Sequence, residues 1–92
     1  MARLEKVVVV ANKKGLHARP AALFVQLVDK LNVAVTIEKD GERINGKSIM
    51  GLLTLGAQTG TSLKLIVEGE NSTKAMQELE SFFNKQEEEY LS

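Results

Sequence analysis

Gly15-Leu16-His17-Ala18-Arg19-Pro20-Ala21-Ala22 divides this 92-residue chain between a strand that has just ended and a helix about to begin. Upstream, residues 4–11 are apolar and rich in β-branched side chains, and the polar Asn12-Lys13-Lys14-Gly15 closes them as a loop closes a strand. Downstream the period changes. Ala21, Phe24, Val25, Val28 and Leu31 fall at helical spacing from Ala18 onward, with Arg19, Gln26, Asp29 and Lys30 largely on other faces. Pro20 suits the first turn, where an amide N–H has no intrahelical acceptor to lose. Ala22, Leu23 and Leu27 lie outside the main stripe and give this helix an apolar surplus.

Further along, Val33, Val35 and Ile37 alternate with Ala34, Thr36 and Glu38, which predicts a half-buried strand. Asp40-Gly41 supplies turn chemistry, and residues 42–45 return as the second arm of a hairpin. Ser48 is placed to cap a short helix over residues 49–55, between Gly46 and Gly56 and weakened by Gly51. After a loop at Gln58-Thr59-Gly60, Leu63, Leu65 and Val67 mark the inner face of a fourth strand. Asn71 is the expected cap of a last helix carrying Ala75, Met76, Leu79, Phe82 and Phe83 on one stripe. Glu87-Glu88-Glu89 would place negative charge near that helix's C-terminus, where the dipole disfavours it, so the last residues are expected to fray.

The resulting order is β-α-β-β-α-β-α. Strands with one apolar face and helices to cover it imply an α+β fold, a two-layer open-faced sandwich of sheet under helices. Residues 1–92 are read as a single domain, without internal repeats.

Composition narrows the chemistry. There is no cysteine, so disulfides, thiolate metal sites and thiol catalysis are excluded. Twelve basic residues balance twelve acidic ones, which leaves no electrostatic footprint for nucleic acid or anionic lipid. The apolar run near the N-terminus is too short for a signal peptide or a membrane span, so a soluble cytoplasmic protein is expected. No carboxylate cluster with metal-ligand spacing accompanies the one histidine, no nucleophile elbow is present, and no glycine-rich nucleotide loop points to a cofactor.

That histidine, His17, falls at or beside the first helix's N-cap. Unpaired N–H groups and partial positive charge make such a terminus an anion site. The imidazole places a nitrogen nucleophile beside that site. Arg19 can offer planar donors to phosphate oxygens. These are the parts needed to accept a phosphoryl group on nitrogen, although on local physics alone a helix-end histidine beside a solvated arginine is the more ordinary arrangement.

Gly15-Leu16-His17-Ala18-Arg19-Pro20-Ala21 resembles the active-site signature of the HPr family, the histidine-containing phosphocarriers of the phosphoenolpyruvate:sugar phosphotransferase system. Lys47-Ser48-Ile49-Met50-Gly51-Leu52-Leu53-Thr54-Leu55-Gly56 resembles that family's second motif, around its regulatory serine. Gly60 and the Gly69…Ala75 spacing continue the likeness in order. The resemblance implies an open-faced sandwich of four antiparallel strands covered on one face by three helices. It implies that His17 takes a phosphoryl group, on Nδ1, from phosphorylated Enzyme I and passes it to sugar-specific IIA components. Arg19 matches the arginine that attends the phosphate. The chain would be a relay acted on by enzymes, not an enzyme itself, and would need no cofactor or metal.

The resemblance further implies that Ser48 is phosphorylated by an ATP-dependent HPr kinase/phosphorylase, as in the Gram-positive type of the family, alongside its capping role. Ala22, Leu23 and Gln26 on the first helix, with Ile49 and Met50 on the second, are the expected partner-docking surface of a monomer that binds no nucleic acid and enters no membrane. The alternative is a mainly regulatory paralogue that acts through Ser48 and a catabolite-control transcription factor. Such paralogues typically lack the histidine, so His17 favours the carrier. Three stretches depart from the family pattern. Asn12-Lys13-Lys14 falls in a variable loop and receives no role, Gln26 and Asp29 replace commonly basic residues, and Ser72-Thr73-Lys74 replaces a commonly acidic turn.

Overall fold

The structure is a computed structural model that describes residues 2–85. It contains β1 (Ala2–Val9), α1 (Ala18–Leu31), β2 (Ala34–Lys39), β3 (Glu42–Asn45), α2 (Ile49–Thr54), β4 (Ser62–Gly69) and α3 (Ser72–Phe83). The four strands form one antiparallel sheet in the order β1-β4-β2-β3. Element order, sheet and layers are those expected. The chain therefore returns β4 between β1 and β2, which puts its run of Leu63, Leu65 and Val67 at the centre of the sheet, wholly buried.

Register explains the two faces. Val8 pairs with Leu63, Val67 with Val35, and Leu65 with Ile37, so all six point to the helical side. The helices supply Phe24 and Val28 from α1, Leu52 from α2, and Ala75, Leu79 and Phe83 from α3. All three phenylalanines meet: Phe24 stacks against Phe82 and Phe83 with ring centres 5.4 and 5.3 Å apart, joining α1 to α3. Edge-to-face pairs of this kind add about 0.5–1.5 kcal/mol beyond area burial. On the other face Ile66 is also buried although it points away from the helices. It is paired with Glu5 of β1 on one side and with Thr36 of β2 on the other.

Boundaries differ where tertiary bonds outbid local pattern. The first strand was expected over residues 4–11, yet its ladder ends at Val9. Beyond it the Val10 amide donates to Thr61 and the Ala11 amide to the carbonyl of Phe83, each at 3.0 Å, so the chain leaves the sheet to tie the end of α3. The second strand starts at Ala34, one residue after the buried Val33. Helix α2 stops at Thr54, with Leu55 as its C-cap, and the Lys39 Nζ donates to the Leu55 carbonyl at 2.9 Å. Asp40 and Gly41 both have positive φ, 51° and 84°, the conformation of a tight two-residue hairpin turn.

Asn71 does start α3, but its side chain makes no capping bond. Its ψ of 35° departs from the extended geometry that aims a capping side chain at the next amides. Among the described residues no helix is long and apolar enough to cross a membrane. The expected fraying at Glu87-Glu88-Glu89 lies outside the described residues.

Candidate functional site

His17 is the N-cap of α1, with extended backbone (φ −113°, ψ −168°), and its carbonyl accepts the Ala21 amide at 2.9 Å. The helix therefore starts at Ala18, as the change of period predicts. Its first turn holds no acidic residue, so nothing on the helix offsets the positive end of the dipole. Pro20 is buried in that turn and Arg19 is exposed beside it. The imidazole is half-buried, and its Nε2 atom is the buried edge of the ring.

Two loops run side by side to hold this position. The Gly60 amide donates to the Val10 carbonyl at 2.8 Å, and the Leu16 amide donates to the Ala57 carbonyl at 2.8 Å. Gly15, at φ +72°, lies so close that a β-carbon would stand 2.7 Å from the Ala57 carbonyl oxygen. Both the backbone angle and the space require glycine there. Leu16, next to it, is buried and anchors the loop in the core.

Asn12, to which the sequence assigns nothing, is 3% exposed, a buried amide in the loop that leads to His17. Its carbonyl accepts the Gly15 amide at 2.9 Å and the Thr59 hydroxyl, closing a turn directly before His17. Its side chain bridges the same turn, with Nδ2 donating to the Gly15 carbonyl and Oδ1 accepting from the Lys14 amide, both at 3.3 Å. The usable signal was an Asn three residues before a Gly, the spacing of a side-chain-supported turn.

Ser48 caps α2: the Gly51 amide donates to its Oγ at 2.9 Å. The preceding Lys47 reaches Asp29 on α1 at 3.4 Å. Helices α1 and α2 pack against each other, which brings the two motifs onto neighbouring elements. Of the residues expected to dock partners, Met50 and Ile49 are 69% and 41% exposed, and Gln26 is exposed. Ala22 and Leu23 are half-buried, Leu23 being packed against the core.

Among the described residues no group of three or more His, Asp or Glu side chains could hold a metal ion. A depression of about 460 Å³ bounded by Asn32, Lys47, Glu68 and Asn71 lies at the opposite end of α1 and does not include His17.

Comparison with known proteins agrees with this geometry. The family model of the PTS HPr component phosphorylation site matches residues 4–85. The HPr-like protein Crh of Halalkalibacterium halodurans is 47% identical over 83 residues, covering 90% of this chain and 99% of that one. Phosphocarrier protein HPr of Treponema pallidum is 44% identical over 85 residues, covering 91% and 97%. A crystal structure of a phosphocarrier protein HPr from Bacillus anthracis matches with a TM-score of 0.85 at 41% identity, over 90% of this chain and 99% of that chain. The chain belongs to the HPr family of the phosphotransferase system.

Proposed function

We propose that this single-domain protein is a phosphocarrier: His17 accepts a phosphoryl group from phosphorylated Enzyme I, ultimately charged by phosphoenolpyruvate, and delivers it to sugar-specific IIA components. The observation that carries this reading is the placement of His17 as N-cap of α1 with Nε2 buried. The family resemblance assigns acceptance to Nδ1, and the burial of Nε2 supports that choice. The Nδ1 lone pair forms the new N–P bond while the donor's bond to phosphorus breaks, that bond's electron pair returning to the donor atom. The transferred group arrives at a helix N-terminus, and Arg19 supplies further donors to its oxygens. Delivery to the next protein is the same exchange in reverse. The protein turns over nothing by itself.

Ser48 is the proposed site of ATP-dependent phosphorylation by an HPr kinase/phosphorylase. A phosphate on an N-cap is favoured by the helix dipole, so the modification acts on docking at Ile49 and Met50 and leaves the fold in place. A second reading makes this regulatory step, and binding to a catabolite-control transcription factor, the main duty. The likeness to Crh proteins supports it, whereas His17 supports the carrier.

Incubation with phosphoenolpyruvate and purified Enzyme I should place an acid-labile, base-stable phosphate on His17. Failure of the wild-type protein to label, under conditions that label an authentic carrier, sinks the carrier reading. Kinase and ATP should give an acid-stable phosphate that Ser48→Ala cannot acquire; label persisting in that variant removes Ser48 from the account.

A further inference from the structure

We infer that Asn12 is a positioning residue for His17, with Thr59 as its latch. The consequence for transfer rests on the relay reading above; the geometry does not. The peptide unit joining Gly15 to Leu16 is held at both polar ends. Its carbonyl accepts from Asn12 Nδ2 at 3.3 Å, and its amide donates to Ala57 at 2.8 Å. A peptide unit is planar, so pinning both ends fixes its rotation, and with it the direction in which the chain enters Leu16 and His17. The buried Leu16 side chain is the third anchor.

Asn12 does this with both ends of its side-chain amide and with its main-chain carbonyl. Oδ1 takes the Lys14 amide, Nδ2 serves Gly15, and the main-chain carbonyl accepts both the Gly15 amide and the Thr59 hydroxyl. A carbonyl oxygen has two acceptor sites, and both are filled. A buried amide is expensive unless its groups are bonded, and an apolar side chain would fill the space without that requirement. The polar identity of residue 12 thus answers to the turn. Thr59 comes from the neighbouring loop, 47 residues away in sequence, and ties that turn to the end of the sheet.

A residue that only stabilises the turn would change the melting temperature and leave the histidine ring where it is. A positioning residue moves the ring. The full-length variants Asn12→Leu, Thr59→Val and Thr59→Ser separate the two. Three readouts serve: the ring nitrogen shifts of His17 by NMR, hydrogen exchange at the Leu16 amide, and the kcat and KM of phosphoryl acceptance from phosphorylated Enzyme I.

Asn12→Leu should move the ring shifts, speed Leu16 exchange and lower kcat on the order of tenfold, the cost of a misoriented acceptor, with KM close to wild type. Thr59→Val should act in the same direction and more weakly, and Thr59→Ser should restore the wild-type values by returning the hydroxyl. Thr59 is exposed, so this pair folds and decides the matter even if Asn12→Leu does not fold. Folded variants with unchanged ring shifts overturn the inference, whatever their melting temperatures. If wild type accepts no phosphoryl group, the relay reading falls alone, because ring shifts and Leu16 exchange still decide the positioning role.

Discussion

At the scale of single residues, the site depends on a few atoms with little redundancy. His17→Ala should abolish acid-labile labelling while leaving the fold intact, since its side chain makes no capping bond. Arg19→Lys keeps the charge and loses the planar fork. Acceptance from Enzyme I should fall about tenfold, the equivalent of one charge-assisted hydrogen bond of about 1.5 kcal/mol. Ser48 offers a cleaner contrast. Ser48→Ala removes the acceptor for the Gly51 amide and should cost about 1 kcal/mol in chemical denaturation. Ser48→Asp keeps a capping oxygen and should stay near wild-type stability. If both variants are equally destabilised, Ser48 is not capping. Both His17 and Ser48 are legible in sequence because capping and helix entry are local events. The role of Asn12 is not, because its burial is created by what folds over it.

Helices and strands were the most readable level, for a physical reason: the apolar period of α3 is its packing face. Ala75, Met76, Leu79, Phe82 and Phe83 are all buried. On α1 the stripe is narrower than the apolar pattern suggests. Ala21, Phe24 and Val28 are buried, while Val25 and Leu31 remain half-exposed beside Leu23 and Leu27. Phe24 joins α1 to α3, fully buried against both α3 phenylalanines. Phe24→Ala should destabilise the protein by about 3–5 kcal/mol in urea unfolding, and a value under ~1 kcal/mol would show that the ring cluster contributes little. Because Phe83's carbonyl also takes the Ala11 amide, loosening α3 should raise exchange at Ala11 as well. Strand ends were less readable. Where a ladder stops depends on which amides find other acceptors, and those acceptors come from distant segments.

At the scale of the whole molecule, the sheet has one covered face and one open face. Val7 and Val9 are 63% and 49% exposed on the edge strand β1, flanked by charge: Lys64 pairs with Glu5 at 2.8 Å, and Arg3 also reaches Glu5. The Lys64 hydrogen bond holds the Glu5 carboxyl below its ordinary range, against a smaller opposing effect of desolvation. A lowered carboxylate pKa stabilises the fold above the unfolded value and loses that contribution as pH falls through the folded one. Between about pH 6 and about pH 3, Glu5→Gln should therefore show a shallower acid loss of melting temperature than wild type. An equal loss would mean the Lys64–Glu5 pair is without effect on stability. The exposed pair Ile49 and Met50 is a separate surface, beside Ser48. Met50→Asp should leave unfolding unchanged, since 69% of that residue is in solvent, and should raise KM as a substrate of Enzyme I about tenfold. An unchanged KM would remove Met50 from the docking surface.

Element order, the two-layer architecture, the helix start at Ala18 and the cap at Ser48 follow from the sequence by itself. Each is a matter of neighbours within a few residues, where period and capping chemistry act directly. Tertiary structure alone decided that β4 lies between β1 and β2, that Ile66 is buried on the open face, and that β1 ends at Val9. It alone placed Asn12 and Thr59 around the peptide before His17. These are contacts between segments far apart in the chain, and no local pattern encodes which buried carbonyl will be nearest when the layers close.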